Sequence, residues 1–145
     1  MSEIRQRALG LLARREHSAS ELITKLMMRD YDKSTVQSVV ATLAQEGLQS
    51  DGRFADGYIH SRIEKGCGPV RIKQELRERG INDDLINLHL DMYAPEWEQR
   101  ALRACEKRFG KKILHNFNEK AKQMRFLQQR GFSGEQIRKI FSTTD

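Results

Sequence analysis

The sequence predicts an all-α fold, an elongated chain of three tandem three-helix repeats. Three observations lead there. Only two prolines interrupt 145 residues, and Leu, Arg, Lys, Gln, Glu and Ala, all good helix formers, are plentiful. No run alternates Val, Ile or Tyr with polar residues between turn signals, so strands have no pattern to follow. The third observation is a segment that recurs. LMMRDYDKSTVQSVV (26–40) returns as LRERGINDDLINLHL (76–90) and again as LQQRGFSGEQIRKIF (127–141), at shifts of 50 and 51 residues. With 38% of residues hydrophobic and 32% charged, one thick core is not available, and thin elements sharing several small cores fit better.

The elements follow in chain order. ALGLLARRE (8–16) reads as a first helix. Ser18 with Glu21 has the spacing of a capping box and starts a second. The recurring segment then supplies a corner and a third helix. Leu26, Leu76 and Leu127 coincide, followed three residues on by Arg29, Arg79 and Arg130. Asp30, Gly80 and Gly131 come next, as left-handed helix stops, a conformation Gly takes freely and Asp less comfortably. Tyr31, Ile81 and Phe132 fill an apolar column. Asp32, Asn82 and Ser133 are preferred N-caps for the following helix, and Ser133 with Gln136 forms a second capping box. Val36, Ile86 and Ile137, then Val40, Leu90 and Phe141, stripe that helix at four-residue spacing.

FADGYIHSRIEKG (54–66) opens the second repeat and ALRACEKRF (101–109) the third. Joints are expected near LQS (48–50), after Gly47, and near PEWEQR (95–100), where Pro95 steers Ala94 away from helix. The repeats are accordingly bounded at 1–48, 49–98 and 99–145. In GCGP (66–69) the glycines are expected to loosen the joint before the next helix. The spacer KKILHNFNEKAKQ (111–123) has no assignable structure.

Composition excludes several function classes. No apolar stretch approaches the roughly 18 residues of a membrane span, and the polar N-terminus MSEIRQRALG lacks a signal-peptide core. Cys67 and Cys105 stand alone without metal-ligand spacing, as reduced thiols of a cytoplasmic protein would. His17, His60, His89 and His115 are scattered, none in a nucleophile context, and His89 falls in the apolar column of Val39 and Ile140. No phosphate-loop or dinucleotide fingerprint occurs. No enzymatic activity, cofactor or metal is expected.

The charge distribution is more informative. Residues 1–98 hold 14 Lys and Arg against 16 Asp and Glu, whereas residues 99–145 hold 12 against 4, so the whole net charge of +6 comes from the C-terminal third. Such asymmetry suits a nucleic acid or an acidic protein surface. Arg29, Arg79 and Arg130 stand where a cation meets the free carbonyls of a helix end, a structural duty. Arg71, Lys73 and Arg77 have no such duty. Lys73 and Arg77 are a like-charge pair four residues apart, mildly unfavourable unless something anionic approaches. KRFGKK (107–112), with Lys107, Arg108, Lys111 and Lys112, continues through Lys120, Lys122 and Arg125 as a second candidate contact surface. No aromatic strand pair, zinc ligands or base-reading signature accompanies it.

The runs 8–26, 50–81 and 125–137 resemble the RecX family of regulatory proteins. The middle one is the most specific: RFA (53–55), Tyr58, Arg62, Gly66, Gly68, RI (71–72), EL (75–76) and the RGI corner match in type and spacing, while Gly52 stands where an acid is expected. The resemblance implies a cytoplasmic, monomeric protein that binds the RecA recombinase and lodges in the groove of its filament on single-stranded DNA. It implies inhibition of strand exchange, ATP turnover and repressor cleavage, and so modulation of recombination, DNA repair and the SOS response. Direct contact with single- or double-stranded DNA is compatible with it, and the short N-terminus is expected to leave no room for a further domain. The competing reading is an autonomous DNA-binding protein using helix-turn-helix-like units. Its second helices begin DDLIN (83–87), KSTVQ (33–37) and GEQIR (134–138), and the first would repel phosphate.

Overall fold

The structure, a computed structural model, describes residues 2–111 and 116–142. Among the described residues it is all-α. The helices are α1 (Ser2–Arg14), α2 (Ala19–Leu26), α3 (Lys33–Gln45), α4 (Asp51–Glu64), α5 (Pro69–Glu78), α6 (Asp83–Asp91), α7 (Trp97–Phe109), α8 (Phe117–Arg130) and α9 (Gly134–Ser142). Each helix starts and stops for local reasons. The Ser18 hydroxyl accepts from the Glu21 amide while the Glu21 carboxylate accepts from the Ser18 amide, the expected capping box. Asp32 accepts from the Thr35 amide, Asn82 from that of Leu85, and Ser133 with Gln136 closes the second box. Gly47, Gly80 and Gly131 end their helices at φ of 77°, 81° and 101°.

Expectations about Asp30, Pro95 and the spacer need correction. Asp30 is not a left-handed stop, because every described residue with positive φ is a glycine. A side chain in that conformation costs roughly 1–2 kcal/mol, and α2 instead unwinds through the turn of Met27–Asp30. Pro95 does not hold Ala94 extended: Ala94–Glu96 forms a single 3-10 turn leading into α7. In the unassigned spacer, α8 begins at Phe117 with Asn116 as its cap, while 112–115 lie outside the described residues.

The chain divides into two compact units, one of residues 1–58 and 76–86, the other of 59–75 and 87–145. In the first, α1, α2 and α3 pack on one another around Ile4, Ala8, Leu22, Leu26, Val36, Val39, Val40 and Leu43. In the second, α7, α8 and α9 pack together and bury Trp97, Ala101, Leu127, Ile137 and Phe141. The columns read from the repeat are the core. Leu26, Leu76 and Leu127 are all at 0% exposure, each burial contributing about 1.5–3 kcal/mol.

These units are offset from the repeats because each contains a joint between one repeat and the corner of the next. In the first unit, the Ser18 hydroxyl donates to the Arg79 carbonyl at 2.7 Å. A Cβ on Gly80 would lie 2.4 Å from the Ser20 Cβ. In the second, the Gly68 amide donates to the Arg130 carbonyl at 2.8 Å and the Val70 amide to that of Gly131 at 2.9 Å. A Cβ on Gly68 would fall 2.5 Å from the Gly131 carbonyl carbon, and one on Gly131 2.2 Å from the Arg71 Cβ. Ser18 and Gly68 hold equivalent repeat positions, as do Arg79 and Arg130, so equivalent positions meet in both units, through a hydroxyl in one and a backbone amide in the other. GCGP is therefore no loosened joint. Gly66 stops α4 at φ 84°, and Gly68 lets two backbones touch.

Candidate cationic interaction surface

The cations of α5 are mostly engaged. Arg62 forks onto Glu75 through Nε and Nη2 at 2.9 and 3.1 Å, with both side chains only 19% exposed. Arg71 Nε reaches the same carboxylate at 3.3 Å. Arg77 forks onto Asp83 at 2.8 and 2.9 Å, and this bonding holds the guanidinium proton more firmly than usual. Lys73 is half-buried and makes no hydrogen bond or ion pair among the described residues. Sequence reasoning placed Arg71, Lys73 and Arg77 together as free of structural duty; the structure gives two of the three carboxylate partners.

The helix-end arginines also have specific partners. Arg79 stacks over the Tyr58 ring at 4.7 Å. Arg130 lies over Phe126 at 5.2 Å and donates to the Lys65 carbonyl. Both contacts hold an arginine against an aromatic ring, a cation–π interaction of order 0.5–1 kcal/mol at an exposed site.

The second unit carries a different arrangement. A cleft of about 510 Å³ is lined by Lys65, Arg100, Arg103, Lys107, Arg108 and Arg130, against Glu64 as the one carboxylate among the described lining residues, with Phe126, Ile63 and Ala104 supplying apolar wall. α7 presents Arg100, Arg103 and Lys107 at three- and four-residue steps, so they share one helix face, with Arg108 on its flank. Arg100 is held by Glu96 and lies over Tyr93, and Arg108 lies over Phe109. Phe109 in turn meets Phe126 edge to face at 5.3 Å. Lys65, Arg103 and Lys107 are exposed and have no ion pair among the described residues.

Of the C-terminal candidates, Lys107 and Arg108 line this cleft and Lys111, Lys120, Lys122 and Arg125 do not. Lys120 sits over Phe141 at 5.9 Å, Lys111, Lys122 and Arg125 are exposed, and Lys112 lies outside the described residues. Sequence reasoning missed Lys65, Arg100 and Arg103, and gave Arg130 only a helix-end role. The signal for two of them was present, since Arg100 and Arg103 continue the Lys107 face backwards along α7. Lys65 and Arg130, 65 residues apart, come together only through folding.

The chemistry is that of an anion-attracting surface. Among the described residues no group of three His, Cys, Asp or Glu could hold a metal. Cys105 is buried, and burial together with Glu106 raises its thiol above the ordinary value, away from the thiolate needed for nucleophilic chemistry. Among the described residues no helix is long and apolar enough to cross a membrane.

Comparison with known proteins agrees with this architecture. Family models match for the first three-helix domain of RecX over residues 5–43, the second over 50–90 and the third over 96–141. Regulatory protein RecX of Halorhodospira halophila is 44% identical over 142 residues, 98% of this chain and 88% of that one. That of Legionella pneumophila strain Corby is 43% identical over 92% of this chain and 89% of its own length. A crystal structure of RecX from Lactobacillus salivarius has the same fold, with a TM-score of 0.84 at 23% identity over 98% and 94% of the two chains.

Proposed function

Since the chain belongs to the RecX family of regulatory proteins, we propose that it binds the RecA recombinase on single-stranded DNA and restrains the filament. The activities restrained are strand exchange, ATP turnover and repressor cleavage, and the consequence is control of recombination, repair and the SOS response in the cytoplasm. The observation that carries this reading is the succession of all three RecX domains along residues 5–141. The protein acts as a binding module, with three repeats (1–48, 49–98 and 99–145) as its working parts.

The cationic surfaces support an anionic partner. Lys73 on α5 and the Lys107 and Arg108 face of α7 are the contacts proposed first, with Arg71, Arg77, Lys111, Lys112, Lys120, Lys122 and Arg125 around them. An autonomous helix-turn-helix reader fits less well. α6 begins with Asp83 and Asp84, which repel phosphate at the position where such readers place base-contacting groups.

The test is RecA-catalysed ATP hydrolysis on single-stranded DNA, titrated with this protein. Inhibition at well below one molecule per RecA is expected, and an unchanged rate at equimolar protein sinks the reading. Co-sedimentation with RecA filaments, with naked single-stranded DNA as the control, separates filament binding from DNA binding.

A further inference from the structure

We infer that the cleft between the end of α4, α7 and α8 is a seat for the phosphodiester backbone of one nucleic-acid strand, held by Lys65, Arg103 and Lys107. This deepens the regulatory reading by giving the protein its own grip on DNA, independent of any recombinase.

Four features of the cleft point to this ligand. First, its charge is unbalanced: among the described lining residues six cations face Glu64 alone, and Glu64 is itself engaged by His60 at 3.1 Å. Lys65, Arg103 and Lys107 have no carboxylate partner among the described residues, in contrast to Arg62, Arg71 and Arg77, which do. Uncompensated like charges along one helix face are mildly destabilising, and an arriving polyanion relieves them.

Second, the spacing suits a strand. From Arg100 to Lys107 the α7 face runs about 10 Å at 1.5 Å per residue. A stacked nucleic-acid strand advances about 3.4 Å per phosphate and an extended one more, so at most about three phosphates fit along it.

Third, the shape is concave. Duplex readers put a protruding helix or ribbon into the major groove, whereas a cleft of about 510 Å³ encloses a short piece of one backbone. Fourth, the wall is partly apolar. Phe126, Ile63 and Ala104 sit beside the cations, which suits sugar and base edges and is wasted on a bare inorganic anion.

The arginines that line the cleft but are already anchored have a positioning role. Arg130 is fixed by the Lys65 carbonyl and the Phe126 ring, and it thereby brings α8 and the end of α4 to the same edge. Lys65 follows the last residue of α4 directly, and Gly66 ends the turn with φ 84°. A Cβ at Gly66 would make only ordinary contact with Ala104, at 3.8 Å, so α4 and α7 stand close without strain.

The test is fluorescence anisotropy of a labelled oligothymidylate with the protein alone, no recombinase present. Wild type is expected to bind with a negative salt slope. R103E/K107E is expected to weaken binding at least tenfold and to shrink the slope by about 1.4, at roughly 0.7 per lost phosphate contact on a single strand. R14E/K33E makes the same charge change at two exposed cations of α1 and α3, outside the cleft, and less than a threefold effect is expected. R103Q/K107Q serves if the reversal disturbs the melt. Equal weakening by the cleft reversal and by R14E/K33E would mean net charge alone attracts DNA and would overturn the proposal. So would failure of wild type to bind, or displacement of the oligonucleotide by ATP at equal phosphate concentration, which would mark a site for free phosphates. None of these outcomes bears on inhibition of RecA, which is measured separately.

Discussion

The Gly68 amide donates to the Arg130 carbonyl at 2.8 Å, and this bond is available only because neither Gly68 nor its neighbour across the contact, Gly131, carries a side chain. A methyl group at Gly68 would sit 2.5 Å from both the Gly131 carbonyl carbon and the Phe132 amide nitrogen. Backbone cannot step aside as a flexible side chain can.

Gly68→Ala should therefore cost about 3 kcal/mol, at the upper end of overpacking penalties, read as a lower urea midpoint at unchanged slope. Gly47→Ala is the comparison. Nothing lies within 4 Å of its would-be Cβ, and only its φ of 77° matters, so about 1 kcal/mol is expected. Equal costs at the two sites would mean the Gly68 contact is looser than described.

Ser18 serves as cap and joint together, accepting from the Glu21 amide and donating to the Arg79 carbonyl. Ser18→Ala should cost about 2 kcal/mol, roughly half from the lost cap and half from the stranded carbonyl. Ser18→Gly should recover most of the cap part, since glycine is nearly as good an N-cap and Gly68 holds the equivalent place in the next repeat. Chemical denaturation of both variants reads the difference. If alanine and glycine are equally harmful, the cap contributes nothing.

Glu75 gathers Arg62 and Arg71 in a half-buried site. Glu75→Gln keeps the shape and removes the charge, and should cost about 2 kcal/mol, in the range of charged hydrogen bonds. R62Q/E75Q should cost clearly less than the sum of the single changes. Additive losses in that double-mutant cycle would show that the fork is only a surface pair.

Acid should weaken the first unit in two stages. His17 is 1% exposed, with Nδ1 at 3.0 Å from the Arg15 carbonyl and Nε2 at 2.9 Å from Lys25 Nζ. Burial lowers its pKa from 6.5, the Arg15 carbonyl opposes that shift, and the Arg15 and Lys25 charges reinforce it. The folded protein thus prefers neutral His17, while the unfolded chain takes up a proton near 6.5. That stability is complete above about pH 6.5 and is lost as pH falls below it. Glu21 is lowered from 4.5, because the Arg15 and Ser18 hydrogen bonds outweigh burial, which acts the other way. Its contribution is present above 4.5 and lost below. Urea melts across pH 7.5 to 4 should show both limbs, and His17→Gln should flatten the upper one. An upper limb that persists in that variant belongs to another group.

For the regulatory activity, the α5 and α7 faces are separable. K73E changes the α5 candidate that has no ion pair among the described residues, and R103E/K107E changes the cleft. Each should raise the concentration needed to inhibit RecA ATP hydrolysis by about fivefold or more, with thermal melts close to wild type. Full inhibition by R103E/K107E would remove α7 from the partner surface.

The repeat determined most of the architecture before any folding was considered. Columns of Leu, Ile and Val at helical spacing can be satisfied only by burial, and Leu26, Leu76, Leu127, Val36, Ile86 and Ile137 are all buried. Caps and glycine stops are local chemistry, legible within four residues, and Asp32, Asn82, Ser133, Gly80 and Gly131 sit as read. Asp30 failed because a column position does not make an L-residue left-handed. Pairing was not legible. Arg71 and Arg77 carry the same charge in the sequence as Arg103 and Lys107, yet the first two meet Glu75 and Asp83 while the second two meet no carboxylate among the described residues. Contacts such as Lys65 with Arg130, or Gly68 with Gly131, join residues more than 60 apart. Which cations are neutralised, and which are left facing a cleft, depends on how helices pack. One-dimensional periodicity fixes the buried face of a helix, and only tertiary packing decides what meets the exposed one.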